Sequence, residues 1–169
     1  MNLRPAAPDD ALAVARVHVR AWQVAYKGLM PAEYLAGLRP EERAQRYDFS
    51  SPNPARPRTW VAVEADTVVG FATVSPARDE DAAGQGELCA LYVEPDFWGR
   101  GVGRALASAA RSELRRSGYT RAVLWVVAGN ARAQQFYRAD GWTRNDLHRA
   151  QQVWNVTVDT VRFSRVLFT

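Results

Sequence analysis

From Leu12 to Tyr26 the apolar residues Leu12, Val14, Ala15, Val17, Val19, Trp22 and Tyr26 recur at helical spacing, and Gly28 ends the run. Asp9 or Asp10, after Pro8, offers the N-cap. Pro31 and Pro40 open two further short helical pieces, and residues 1–5 ahead of them read as a strand. The proline-studded stretch SSPNPARPRT (50–59) is a loop, after which WVAVEADTVVGFATV (60–74) reads as two β runs turning near Ala65–Asp66. A small, polar loop (75–86) leads to the strand ELCALYV (87–93), which Pro95 closes; alternation there puts Glu87, Cys89 and Leu91 on one face. Val102, Leu106, Ala109, Ala110 and Leu114 line one face of a helix that stops at Gly118, with Arg104, Ser108, Arg111, Arg115 and Arg116 elsewhere. A buried strand (121–127), a helix from Ala131 to about Ala139 ended by Gly141, and two β runs (151–158 and 160–168) complete the chain. The order predicts an α+β fold over 1–169 as one domain, with a mainly antiparallel sheet and one parallel crossover.

Composition narrows the function classes. Of 169 residues, 47% are hydrophobic, as in a globular domain rather than a disordered chain. The net charge is +4, but the acidic and basic residues are interspersed and form no polybasic stripe, so no nucleic-acid partner is expected. A modest positive field still favours anionic ligands. Cys89 is the single cysteine and His18 and His148 are the only histidines, which leaves no expectation of a disulfide or a metal site. The N-terminus lacks the apolar core of a signal peptide, and the longest apolar run, AVLWVVAG, is too short to span a bilayer. A cytoplasmic protein without membrane contact is therefore expected.

The chemistry gathers at PDFWGRGVGRAL (95–106), where glycines occupy positions 99, 101 and 103 between a strand and a helix. A helix N-terminus presents free N–H groups and partial positive charge, and glycine lets other groups approach its backbone. Arg100 and Arg104 add mobile charge. The dinucleotide pattern Gly-x-Gly-x-x-Gly fails in both registers, because Arg104 and Leu106 stand where glycine is required; no Gly-Lys-Ser/Thr exists for a P-loop.

The stretch LYVEPDFWGRGVGRAL resembles the acetyl-coenzyme A signature, Gln/Arg-x-x-Gly-x-Gly/Ala, of the GNAT (GCN5-related N-acetyltransferase) superfamily. Gly101 and Gly103 fill the small positions, and Trp98 departs from the usual Gln or Arg. NARAQQFYRADGW (130–142) resembles the second signature, Asn-x-x-Ala-x-x-Phe-Tyr-x-x-x-Gly-Phe, with Trp142 in the last place. The resemblance implies a mixed, mainly antiparallel twisted sheet whose central parallel strands splay apart between flanking helices. It implies backbone of Leu91, Tyr92 and Val93 holding the pantetheine arm, and amides of Trp98, Gly99, Arg100, Gly101, Val102, Gly103 and Arg104 cradling the pyrophosphate. Asn130 would bond the pantetheine region, and Tyr137 would be the general acid toward the departing thiolate.

The acceptor implied is a primary amine, attacked directly in a ternary complex. Glu87 is the first candidate for its base, followed by His18, Glu33 and Tyr26. Trp22, Tyr26, Met30 and Tyr34 would form an aromatic acceptor wall. Cys89 reads as a small buried hydrophobe, with an acyl-carrying role as the alternative. The resemblance allows a homodimer through the final strands. A coenzyme A-binding sensor or assembly module without turnover is the reading from another class.

Overall fold

The computed structural model describes residues 1–153 and 155–168. Seven strands form a single sheet in the order β1-β2-β3-β4-β5-β7-β6. These are β1 (Asn2–Pro5), β2 (Arg58–Glu64), β3 (Thr67–Pro76), β4 (Gly86–Val93), β5 (Arg121–Val127), β6 (Thr143–Val153) and β7 (Val156–Val166). Every neighbouring pair is antiparallel except β4 and β5, which run parallel. The parallel pair needs a crossover, and α4 (Val102–Arg116) provides it.

Helix α1 (Ala11–Ala25) covers one face of the sheet, with α2 (Ala32–Ala36) and α3 (Pro40–Ala44) beside it. Val14 and Val17 of α1 pack on Val61 and Phe71, while Trp22, Tyr26, Met30 and Leu35 form a cluster with Val158. On the opposite face Val102, Leu106, Ala110 and Leu114 of α4 meet Val69, Leu88, Leu124 and Phe163, and α5 (Ala131–Ala139) adds Tyr137 to the same core. Leu106 is fully buried, and truncating such a leucine to alanine typically costs about 2–5 kcal/mol, so this face anchors the crossover.

The β2–β3 turn falls at Ala65 and Asp66, both at positive φ (47° and 62°), the backbone that a two-residue hairpin of right-handed twist demands. Three boundaries differ from the sequence reading. The first helix is preceded by a 3-10 turn, Pro8–Asp10, and the Asp10 carboxylate turns back to the Ala7 N–H (2.7 Å) and to Arg4 instead of capping α1. Pro31 precedes α2 as its cap rather than sitting in its first turn. The last hairpin turns around Asn155 (φ 66°) and not near Asp159, because β6 runs from Thr143 to Val153 and pairs Val153 with Val156. Its polar sequence TRNDLHRA hides a strand that runs along the sheet edge, where charged residues are tolerated.

Candidate active site

Strands β4 and β5 pair only through Gly86↔Ala122 and Glu87↔Val123, then part. The β3–β4 register shifts at the same place, with Thr73 opposite Ala90 and Val74 opposite Leu88, so Cys89 is the extra residue of a β-bulge. The bulge bends β4 away and breaks the simple alternation expected of Glu87, Cys89 and Leu91. Between the parted strands lies a cavity of about 520 Å³. Its β5-facing edge of β4 carries backbone groups outside any ladder, which suits an extended, amide-bearing ligand laid in as a strand.

At one end stands the glycine loop. Gly101 caps α4 at φ 84° with open space where a Cβ would be, so its conformation is what requires glycine. Gly103 is constrained differently: a Cβ there would lie 3.3 Å from the Phe136 ring of α5, so this glycine lets two helices close up beside the cavity. Trp98 donates its indole N–H to Val93 O (2.8 Å) and lines the cavity with Gly99, Gly101, Gly103 and Arg104. Arg100 and Val102 do not line it. The exposed Arg100 guanidinium stacks over Phe97 (4.9 Å), whereas Val102 is buried in the core and has only its backbone available for a ligand.

In the middle, Leu91, Tyr92 and Val93 of β4 face Asn130 and Tyr137 across the gap. Asn130 Oδ1 accepts from Ala133 N (3.1 Å) and so caps α5, and Tyr26 and Tyr92 line the same cavity beside it. Tyr137 packs edge-on against Phe136 and Trp142. Burial, with the neighbouring Tyr92 and Asp140 adding to it, pushes its phenol well above the ordinary tyrosine value, so Tyr137 keeps its proton through the neutral range.

The other end is aromatic. Trp22 and Tyr26 line it as expected, whereas Met30 and Tyr34 do not: Met30 is buried against Leu35 and Val158, and Tyr34 packs on that same cluster. Trp125, Gln151, Thr160 and Cys89 take their place. Trp125 donates its indole N–H to Asp79 Oδ2 (2.9 Å), and Arg149 both pairs with Asp79 (2.7 Å) and stacks on the indole (4.1 Å). The sequence shows Trp125 only as one apolar residue of a buried strand; its partners come from a distant loop and another strand. Cys89 Sγ lies 3.0 Å from Ser75 Oγ, and burial pushes its thiol up to about 11, which keeps it protonated and argues against an acyl-carrying role.

The base candidates separate clearly. Glu87 sits at the closed end of the parted strands, outside the cavity lining, with its carboxylate taken by the Arg78 guanidinium (3.0 Å) and backbone N–H (3.3 Å). His18 is enclosed by Trp22, Phe71 and Tyr92 with Nδ1 on the Tyr47 hydroxyl, and burial holds it well below the usual imidazole range. Glu33 is exposed on α2 and also lies off the cavity. Among the described residues, then, no carboxylate or imidazole lines the cavity. Glu87→Gln is accordingly expected to leave the acidic limb of the pH–rate profile in place and to cost about 1–3 kcal/mol of stability, read by urea unfolding. A displaced limb would return Glu87 to the reaction.

Among the described residues, no group of three or more His, Cys, Asp or Glu side chains could hold a metal ion, and no helix is long and apolar enough to cross a membrane. The sequence profile of the acetyltransferase (GNAT) family matches residues 20–142. The chain belongs to the GNAT acetyltransferase family. GNAT proteins are acyltransferases, and the relatives agree: the chain is 31% identical over 133 residues to the uncharacterized N-acetyltransferase YuaI of Bacillus subtilis, covering 77% of this chain and 73% of that one. It is 41% identical over 80 residues to a mycothiol acetyltransferase of Propionibacterium freudenreichii, covering 47% of this chain and only 25% of that longer protein. The GNAT fold is matched over 98% of both chains, at a TM-score of 0.77 and 18% identity, by the PaiA N-acetyltransferase of Thermoplasma acidophilum in complex with coenzyme A.

Proposed function

We propose that the protein moves the acetyl group of acetyl-coenzyme A directly onto a primary amine of a small molecule or peptide. One observation carries this reading: a single cavity runs from the glycine loop, along the unladdered edge of β4 and past Tyr137, to an aromatic end. The residues present suit the donor. Backbone of Leu91 to Val93 would hold the pantetheine arm as an added strand and turn N–H groups toward the thioester carbonyl. Amides from Trp98 to Arg104 would receive the pyrophosphate, and Asn130 would meet the pantetheine amides. Bound acetyl-coenzyme A supplies the activated thioester.

The chain's own part is to align, exclude water and handle protons. Tyr137 is the proton donor toward the sulfur, since its phenol stays protonated where the reaction runs. On the amine side, with neither carboxylate nor imidazole on the cavity wall among the described residues, the protein takes up the neutral fraction of the acceptor and water carries the proton away. The acidic limb then follows the acceptor's own pKa, which is near 8 for an α-amine and about 10.4 for a lysine-type amine.

Titration calorimetry with acetyl-coenzyme A is the test. Saturable binding with a dissociation constant between about 1 μM and 1 mM is expected, together with release of free coenzyme A when an amine is accepted. Absence of binding overturns the reading. Binding with no turnover across a broad amine panel would instead identify a coenzyme A sensor.

A further inference from the structure

Trp98 stands where the glycine pattern often carries Gln or Arg, and the fold brings a cation to it from another element. Arg132, in the first turn of α5, lays its guanidinium on the Trp98 ring with Cζ 3.5 Å from the centroid. The ring is a fixed platform, because its indole N–H is tied to Val93 O. Both side chains line the cavity beside Gly99, Gly101 and Arg104.

The charge pattern around this stack is unusual. Arg104 and Arg132 each lie in the first turn of a helix, α4 and α5, and neither turn carries an acidic residue. A cation there is repelled by the positive end of the helix dipole. Arg111 is matched by Asp140, and Arg162 by Asp79 and Asp81. Arg104 and Arg132 are exposed and, among the described residues, have no such ion pair; partial desolvation of the Arg132 guanidinium holds it below its ordinary pKa. Two like charges at two positive helix ends around one cavity are an arrangement that an anion would relieve.

We infer that Arg132, stacked on Trp98, grips the pyrophosphate of coenzyme A, so that an arginine from α5 replaces the polar side chain the glycine motif otherwise brings. Stacking on an indole holds a guanidinium flat and leaves its N–H edge free to fork onto phosphate oxygens. The inference rests on the cavity being the acetyl-coenzyme A site.

Calorimetry with coenzyme A, dephospho-coenzyme A and pantetheine tests it on the wild type, Arg132→Ala, Arg132→Lys and Trp98→Leu. Arg132→Ala should weaken both phosphate-bearing ligands by about tenfold or more, the usual cost of losing a charged hydrogen-bond partner, and leave pantetheine within about twofold. Arg132→Lys should recover only part of the loss, since an ammonium neither stacks flat nor forks. In the Trp98→Leu background, removing Arg132 should matter less than in the wild type, which is the coupling the stack requires. Coenzyme A binding by Arg132→Ala within about twofold of wild type overturns the inference, as does an equal loss for pantetheine, which would mark a structural role. An effect on coenzyme A that disappears with dephospho-coenzyme A overturns the pyrophosphate assignment in favour of the 3′-phosphate. A wild type that binds none of the three would instead bring down the reading of the cavity.

Discussion

Tyr137→Phe should lower kcat about a hundredfold, within the range that positioned acids contribute, while the KM for acetyl-coenzyme A changes by no more than about twofold. The ring is held by Phe136, Trp142 and Phe163, so the substitution removes one oxygen and leaves the packing in place. The size of the effect follows from acidity. A free thiol has a pKa near 8.5, and burial holds the Tyr137 phenol well above its ordinary value near 10. In the proposed reaction the phenol would therefore stabilise the sulfur chiefly through a hydrogen bond, which places the loss at the lower end of the range. The raised pKa also fixes a sign: the protonated, active form persists as pH rises, so Tyr137 introduces no basic limb below about pH 10. Initial-rate and single-turnover measurements check both points. Full activity in the variant would hand the proton to water and remove Tyr137 from the chemistry.

Asp140→Ala should destabilise the protein by about 3–5 kcal/mol, the usual cost of stripping one partner from a buried pair. Asp140 takes hydrogen bonds from Arg111 Nη1 (2.6 Å) and Trp142 Nε1 (3.0 Å), and Arg165 approaches it at 3.9 Å. The Arg111 side chain is 15% exposed, so removing its counter-charge leaves a cation with little water around it. A loss of this size is a large share of the 5–15 kcal/mol by which domains are ordinarily stable. Urea unfolding should show a lower midpoint at unchanged slope. Asp140→Leu combined with Arg111→Met should recover much of the loss, because it removes the stranded charge instead of exposing it. If Asp140→Ala alone costs less than about 1 kcal/mol, the pair stabilises nothing net.

The sequence patterns located most elements because local chemistry specified them. Helical spacing marked α1 and α4, glycine at positive φ marked the ends of α4 and α5, and the Ala65–Asp66 turn marked the β2–β3 hairpin. The β6 strand was not legible, since an edge strand in a polar stretch has no alternation that separates it from a loop. In the site, the readable residues were those that one contiguous motif carries: the glycines, Asn130 and Tyr137. Glu87 was read from its place at the start of β4, where the family often carries a base, and nothing local announced that Arg78, on the loop after β3, would claim its carboxylate. Trp125 and Arg132 were missed for the converse reason. Their roles depend on Asp79, Arg149 and Trp98, residues that only the assembled fold brings to them.

The two rungs that join β4 to β5 make the sheet mechanically two plates on one hinge, β1 to β4 on one side and β5 to β7 on the other. Past Glu87 and Val123 the plates are held by α4 and by side chains, not by their own ladder. A ligand laid along β4 would therefore act as a splice, carrying hydrogen-bonded continuity from plate to plate. In the proposed reading, stiffness of the molecule would then differ between the loaded and the empty protein.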